Sequence, residues 1–141
     1  MAKILLSAYA CRPNTGSEPG VGWNFAQRVA DHHEVWVVTR ADNRSYIEEW
    51  VGQNAGAAKN LHFVYHDVPG WVHTLFPGNA GNQIRYRVWQ SSLLKTIRPL
   101  HEQVNFDVAQ HITYVRYWTA SRLVKLPVPF IWGPVVEVGF T

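Results

Sequence analysis

The chain has 141 residues, of which 47% are hydrophobic and 16% are charged, a composition that fits one globular domain and excludes an intrinsically disordered segment. Its net charge of +3 comes without a dense basic run or a zinc-ligand spacing, so nucleic acid is not an expected partner. The single cysteine, Cys11, excludes a disulfide within the chain.

Neither a leader nor a membrane span is expected. The first apolar run, Ile4-Leu5-Leu6, is too short for the core of a signal peptide. No apolar run approaches the roughly 18 residues that a spanning helix needs. We therefore expect a cytoplasmic protein that is at most attached to the inner face of the membrane.

Short apolar runs, which predict buried strands, alternate along the chain with segments of helical periodicity. In chain order the predicted elements are a strand over Lys3–Tyr9, a helix over Val21–His32, a strand over Glu34–Thr39, a helix from a cap at Asp42 or Asn43 to Gln53, a strand over Leu61–His66, a helix over Asn82–Arg98, a strand over Asp107–His111, a helix over Val115–Lys125 and a strand over Pro129–Trp132. The helix from Asn82 is expected to stop before Pro99, because proline disfavours a helical residue ahead of it. Residues 68–82 are predicted to form a long loop.

This alternation predicts an α/β fold, with one domain over residues 1–141. Right-handed crossovers between the strands imply a Rossmann-like, doubly wound parallel sheet with strand order 3-2-1-4-5. Tyr86, Trp89, Leu93 and Ile97 are predicted to lie on one apolar face of the helix from Asn82. Ligands of such sheets bind outside the carboxyl ends of the strands where the strand order reverses, so the loops after the first and fourth strands are candidate sites.

The loop after the first predicted strand is rich in glycine. Gly16, Gly20 and Gly22 allow the backbone to approach a ligand closely, and the next helix offers N–H groups to a phosphate or diphosphate. The alternative is a flexible loop that merely ends the strand. The spacing G-x-x-x-G-x-G differs from the dinucleotide fingerprint, and no nucleotide-triphosphatase loop is present. A nicotinamide-dependent oxidoreductase domain is therefore disfavoured.

The second candidate loop follows the fourth predicted strand. His111 lies at the expected switch point, where its imidazole can donate to a hydroxyl or share a proton near neutral pH. Arg116 opens the next predicted helix, from which it could reach an anion. The alternatives are a half-buried, hydrogen-bonded histidine and a solvent-facing arginine. No metal-ligand pattern is present, so neither a metal nor another cofactor is expected.

Four segments, in order and at compatible spacing, resemble the group 1 (family four) retaining glycosyltransferases, which have the GT-B fold. These segments are Lys3–Tyr9, Gly16–Trp23, Phe106–Thr113 and Pro127–Val135. The resemblance implies two Rossmann-like domains around a cleft, of which the N-terminal domain mainly holds the acceptor and the C-terminal domain the nucleotide-sugar. This chain resembles the N-terminal half and lacks the C-terminal donor domain with its E-x7-E segment, so we expect it to be inactive alone.

The resemblance also implies roles for individual residues. His111 would be the catalytic residue near the transferred sugar, where it could bind a hydroxyl. Together with the loop arguments above, the resemblance predicts substrate- or diphosphate-binding roles for Gly16, Glu18, Gly20, Gly22, Thr113 and Arg116. Catalysis would consist mainly of positioning and of charge stabilisation on the leaving diphosphate, without a required metal.

The sequence thus predicts the acceptor-side domain of a glycosyltransferase, which moves a sugar from a nucleotide-sugar to a sugar or lipid acceptor. The alternative is a free-standing module that binds a sugar or phosphate ligand without catalysis. Peripheral membrane contact is a further hypothesis, because Trp71, Leu75 and Phe76 lie near several basic residues in the sequence. Alternatively, these apolar residues pack on the sheet or face a missing domain.

Overall fold

A computed structural model of the protein describes residues 1–14, 17–112 and 126–132, and the side chains of Ser17, Glu18 and Trp132 are outside this description. Five strands form one sheet in the order β3-β2-β1-β4-β5, and all neighbouring strands are parallel. The strands are β1 Lys3–Ala8, β2 Glu34–Thr39, β3 Leu61–Tyr65, β4 Val108–Ile112 and β5 Phe130–Trp132. The predicted α/β fold with Rossmann-like strand order is therefore confirmed.

The strand order reverses at β1, which lies in the centre of the sheet. Leu5 on β1 is paired with Trp36 on β2 and with Ala109 on β4. Near the carboxyl end of β1, Ser7 is paired with His111. The carboxyl ends of β1, β2 and β4 therefore meet at the same edge of the sheet, which is the edge where ligands of this architecture bind.

Five α-helices and one short 3-10 turn connect the strands in the described part of the chain. They are α1 Ser17–Ala30, the 3-10 turn Ala41–Asn43, α2 Arg44–Gln53, α3 Gly70–Leu75, α4 Asn82–Ser92 and α5 Leu94–Val104. The predicted helix over 115–125 lies outside the described residues.

Helix α1 begins earlier than the sequence predicted. The expected start was Val21, whereas the helix includes residues from Ser17 onward. Pro19 is compatible with this start, because the first turn of a helix does not use its own N–H groups for internal hydrogen bonds. Gly20 and Gly22 consequently lie within the helix rather than in a loop, and both are buried.

The segment between β3 and β4 also differs from its prediction. The expected loop over residues 68–82 contains α3, and the expected single helix from Asn82 is divided at Leu93 into α4 and α5. Helix α5 continues past Pro99, although a proline inside a helix costs about 3 kcal/mol relative to alanine. Burial of Ile97, with partial burial of Leu100 and Val104 against the same core, offsets that cost.

Asn43 precedes α2, as expected of a capping residue, but its side chain makes no capping hydrogen bond. The prediction of a side-chain cap by this residue was wrong. Its amide is instead buried and joins the ends of β1 and β2, as Asn43 Nδ2 lies 2.9 Å from Thr39 Oγ1 and 3.4 Å from the carbonyl oxygen of Tyr9. The Asn43 amide therefore hydrogen-bonds to buried polar groups at this junction and not to the N–H groups at the start of α2.

Apolar side chains cover both faces of the sheet, because alternate residues of a strand point to opposite faces. Leu5 packs on one face in a cluster with α4 and α5, whereas Ile4 and Leu6 pack on the other in a cluster with α1 and α2. The first cluster includes Tyr86, Trp89, Leu93 and Ile97, all 1% exposed or less, which confirms the predicted apolar face. The sheet is therefore doubly wound. Because helices cover both of its faces, a ligand is expected at the carboxyl ends of its strands.

Candidate functional site

A pocket of about 310 Å³ opens at the carboxyl ends of β1, β2 and β3. We name it the carboxyl-edge pocket, and its lining residues are Tyr9, Arg40, Asp42, Asp67, Val68, His73, Pro77, Gly78, Arg85 and Trp89. Its volume is at the lower end of the range for small-molecule sites, roughly 300–1,000 Å³. Its size is thus suited to a small molecule rather than a macromolecule.

The chain brings polar residues to this edge because a polar or charged side chain follows each of β1, β2 and β3 within two residues. Tyr9 follows β1, Arg40 follows β2, and Asp67 comes two residues after β3. Parallel strands end at the same side of a sheet, so these three side chains share one rim. Helices α3 and α4 close the opposite side with His73 and Arg85.

An aromatic cluster forms the floor of the pocket. The ring of Tyr9 meets the rings of Tyr86 and Trp89 edge to face, with centroids 5.0 and 5.2 Å apart. Trp89 is 1% exposed and donates from Nε1 to the carbonyl oxygen of His66 at 2.6 Å. Such pairs fix ring orientation, so Tyr9 is held in place from below.

Two carboxylates on the rim, those of Asp42 and Asp67, lie close to basic side chains. Arg40 Nε is 3.2 Å from Asp42 Oδ1, which is ion-pair distance without hydrogen-bond geometry, and the Arg40 guanidinium lies 4.6 Å from the centre of the Tyr9 ring. Asp42 Oδ2 is also 3.7 Å from Arg12 Nη2. On the other side, Asp67 Oδ1 lies 3.1 Å from His73 Nε2. Both carboxylates are exposed enough to accept further hydrogen bonds from a ligand.

Arg85 differs from the other cations of the pocket. It lies in the first turn of α4, and its Nη1 donates to the carbonyl oxygen of Phe76, the residue that follows α3. Within the described residues, no carboxylate oxygen is within 4.0 Å of its guanidinium. In the described part of the chain, the partner of its charge is therefore a backbone carbonyl dipole and not a carboxylate.

Gly81 makes this arrangement possible. A Cβ at Gly81 would collide with the Phe76 carbonyl group and would come within 3.0 Å of Arg85 Nη1. A larger residue would therefore displace the carbonyl on which Arg85 is oriented. Glycine is required here by close approach rather than by backbone conformation.

Beneath the pocket lies a satisfied polar cluster around His66. Its Nε2 is 2.9 Å from Ser92 Oγ and its Nδ1 is 2.7 Å from Thr96 Oγ1. Because the Ser92 hydroxyl is directed to the carbonyl oxygen of Val88, a neutral imidazole with its hydrogen on Nε2 satisfies all of these groups. Burial lowers the pKa of His66, and a hydrogen bond at Trp89 and the Asp67 carboxylate offset only part of this effect.

The predicted catalytic histidine lies deeper than the carboxyl-edge pocket. His111 is on β4 and is 1% exposed, and its Nε2 is 3.3 Å from the hydroxyl of Tyr86. Tyr86 in turn contacts Tyr9, which lines the pocket. His111 itself does not line the pocket, and its contact with the pocket runs through these two tyrosines. Its role in binding a sugar hydroxyl stays a prediction.

The other predicted site residues are not brought to the pocket by the described part of the chain. Gly20 and Gly22 are buried in α1, and neither lines the pocket. Gly16, Thr113 and Arg116 lie outside the described residues, as does the side chain of Glu18. Their binding roles stay predictions.

The pocket residues themselves were not selected from the sequence, although a signal for them was present. Arg40, Asp42 and Asp67 each follow a predicted strand within three residues, at the edge where ligands bind. Arg85 and His73 carried no such signal, because α3 was not predicted and the helix face that meets the pocket could not be chosen. The sequence pattern favoured the glycine-rich loop after the first predicted strand and the loop after the fourth predicted strand instead.

Trp71 and Leu75 on α3 are 61% and 64% exposed, whereas Phe76 is half-buried against the core. Packing on the sheet therefore accounts for Phe76 alone, and membrane contact through the other two stays a prediction. None of the helices in the described ranges is long and apolar enough to cross a bilayer. Within those ranges, no three His, Cys, Asp or Glu side chains are grouped so that they could hold a metal ion.

Comparison with known proteins gave no relative. No protein-family model matches the chain, and it matches neither a curated protein nor a solved structure.

Proposed function

We propose that this chain is the acceptor-side domain of a glycosyltransferase, which moves a sugar from a nucleotide-sugar to an acceptor, and that the carboxyl-edge pocket holds the acceptor saccharide. The observation that carries the proposal is the position of this polar pocket at the carboxyl edge of a Rossmann-like sheet. The resemblance of four sequence segments to retaining glycosyltransferases supports the reaction class.

The chemistry of the rim suits a saccharide. Sugar hydroxyls donate and accept hydrogen bonds, and the carboxylates of Asp42 and Asp67 accept while the guanidinium of Arg40 donates. The ring of Tyr9 adds an apolar surface between these polar groups, as in small-molecule sites generally. In the proposed reaction these residues bind and orient the acceptor, so their contribution to the rate is positioning.

A second candidate function rests on the residues that line the pocket. The described lining includes hydrogen-bond donors, Arg40 and Arg85, and acceptors, Asp42 and Asp67, which are the groups that hold a sugar or phosphate ligand. The alternative is therefore a module that binds a sugar or phosphate ligand without catalysis. The two functions differ in whether the natural protein releases nucleoside diphosphate from a nucleotide-sugar when the bound saccharide is present.

Saturation-transfer NMR with a panel of monosaccharides and disaccharides tests the shared premise. We expect saturable binding by at least one saccharide, and a loss of affinity of about tenfold in Asp42→Asn, which removes a charged hydrogen-bond acceptor. Glu48→Gln is the matched control, because Glu48 is an exposed carboxylate on α2 that pairs with Arg44 away from the pocket.

Two results would contradict the proposal. One is the absence of saturable binding by every saccharide in the panel. The other is saturable binding of NADH detected by its fluorescence, since that result would favour the nicotinamide-dependent alternative.

A further inference from the structure

We infer that the carboxyl-edge pocket selects an acidic ligand, and that Arg85 is the residue that binds its anionic group. If the proposed function holds, on which this assignment of a substrate class rests, the acceptor is a sugar that carries a phosphate or carboxylate substituent. The chain would then distinguish acidic acceptors from neutral ones at a defined position.

The first argument is the pairing of charges in the pocket. Among the described residues, its lining includes two guanidinium groups, those of Arg40 and Arg85, and two carboxylates, those of Asp42 and Asp67. Asp42 is shared by Arg12 and Arg40, and Asp67 is paired with His73. Within the described residues, Arg85 is therefore the guanidinium of the pocket that has no carboxylate oxygen within 4.0 Å.

The second argument is the environment of Arg85. Its side chain is half-buried, and its ordered partner, the Phe76 carbonyl oxygen, occupies Nη1. A guanidinium has five N–H donors in a planar fork, which matches two oxygens of one phosphate or carboxylate group. A half-buried cation that is not paired with a carboxylate attracts an anion more strongly than a fully solvated cation does, because water screens its charge less.

The third argument is that the orientation of Arg85 is built into the fold. The Phe76 carbonyl fixes one end of the guanidinium, and the absence of a side chain at Gly81 leaves room for that contact. The fork is thereby held against the pocket before a ligand arrives. Preorganisation of this kind lowers the entropic cost of binding.

Helix α4 also supplies a control. Arg87 lies two residues after Arg85 on the same helix, but it is exposed and does not line the pocket. Replacing either residue with glutamine changes the net charge of the protein equally. A difference between Arg85→Gln and Arg87→Gln therefore reports the position of the charge rather than its amount.

The test is titration of the whole chain with inorganic phosphate at constant pH and ionic strength, followed by the side-chain Nε–Hε signals of arginine in NMR spectra. We expect a saturable shift of the Arg85 signal, and sodium chloride at equal ionic strength should not reproduce it. Arg85→Gln should weaken phosphate binding by about tenfold or more, whereas Arg87→Gln should leave it unchanged. Equal weakening in both variants, or a shift that chloride reproduces, would overturn the inference.

Arg85→Lys separates binding from folding, because it keeps the charge and loses the fork. We expect an intermediate phosphate affinity with an unchanged circular dichroism spectrum. If lysine restored none of the affinity lost in Arg85→Gln, the loss would belong to the Phe76 contact, and the inference would fail.

Titrations with glucose 6-phosphate, glucuronate and glucose separate this inference from the proposed function. We expect glucose 6-phosphate or glucuronate to bind the wild type more tightly than glucose does, and we expect this difference to be absent in Arg85→Gln. Whichever of the two acidic sugars binds more tightly identifies the preferred substituent, phosphate or carboxylate. Neutral and acidic sugars that bind equally well would overturn the inference and leave the proposed function intact. Phosphate binding through Arg85 without binding of any saccharide would overturn the proposed function and leave the anion site intact.

Discussion

Arg12 donates from Nε to Oδ1 of Asn43 at 2.9 Å, and this hydrogen bond ties the loop after β1 to the turn after β2. Asn43 is 1% exposed and also contacts Thr39 Oγ1. Together these contacts hold Arg40, which precedes this turn, and Asp42, which lies within it, at the rim of the carboxyl-edge pocket. The shape of the pocket therefore depends on a buried amide that does not itself line it.

Asn43→Ala should destabilise the fold by about 1–3 kcal/mol, because it removes the hydrogen bonds that the buried Asn43 amide makes. Urea unfolding followed by tryptophan fluorescence measures the change. Asn54→Ala is the matched control, since it removes one half-buried amide hydrogen bond, to the Trp50 carbonyl, and should cost less. Equal losses in the two variants would contradict a special role for Asn43.

Gly81→Ala should destabilise the protein by about 1–3 kcal/mol, the usual cost of inserting atoms where the structure has no space. The added methyl group would displace the Phe76 carbonyl and Arg85. Gly52→Ala provides a control of opposite sign, because Gly52 is within α2 with nothing near its missing Cβ. That variant should gain about 0.5–1 kcal/mol in unfolding free energy, and a loss in Gly52→Ala equal to that in Gly81→Ala would contradict the steric argument.

The free energy of unfolding should decrease as the pH is lowered, because His66 becomes protonated more readily in the unfolded chain. Burial lowers the pKa of His66 in the folded state, so the unfolded chain binds more protons once the pH drops below the ordinary histidine value of about 6.5. The contribution of His66 to the free energy of unfolding is therefore fully present above that pH. It decreases as the pH falls below that value, and the decrease ends below the pKa of His66 in the folded state. One proton limits the slope to about 1.4 kcal/mol per pH unit.

Urea unfolding between pH 7.5 and 5 measures this dependence. His66→Gln should flatten it, whereas His32→Gln, at an exposed position, should leave it unchanged. A pH dependence that persists in His66→Gln would assign the effect to other groups.

Cys11 should be inert in the folded protein. The thiol is fully buried, and desolvation raises its pKa to about 12, so the reactive thiolate is scarce at pH 7.5. Iodoacetamide should modify Cys11 far more slowly than it modifies free cysteine, with the full rate restored in 8 M urea. Mass spectrometry of the native protein that showed modification at the rate of free cysteine would contradict this burial.

The strand order could be predicted from sequence because its signals are local and strong. The runs at β1 and β2 are apolar almost throughout, which is typical of strands covered on both faces. The apolar face of Tyr86, Trp89, Leu93 and Ile97 was also predictable, since a break at Leu93 hardly changes helical phase.

The local details that failed depend on tertiary contacts. Pro99 gave a strong signal for a helix end, but burial of its neighbours in the core outweighed it. Asn43 has the composition of a helix cap, yet its amide serves a junction between residues distant in the sequence. The pocket depends on Arg85 and His73, whose approach to the strand ends follows from the packing of α3 and α4 and from no local pattern.

The central position of β1 has a consequence for how the chain folds. Lys3 and Asp107, at the start of the β1–β4 pairing, are 104 residues apart, so the first strand can gain its second neighbour only after most of the sequence has emerged from the ribosome. Pairings of such long sequence separation carry a large loop-closure entropy and slow the folding of a domain. Until β4 has been synthesised, one hydrogen-bonding edge of β1 remains unpaired, so this apolar strand is open to aggregation with other chains while the nascent protein is incomplete.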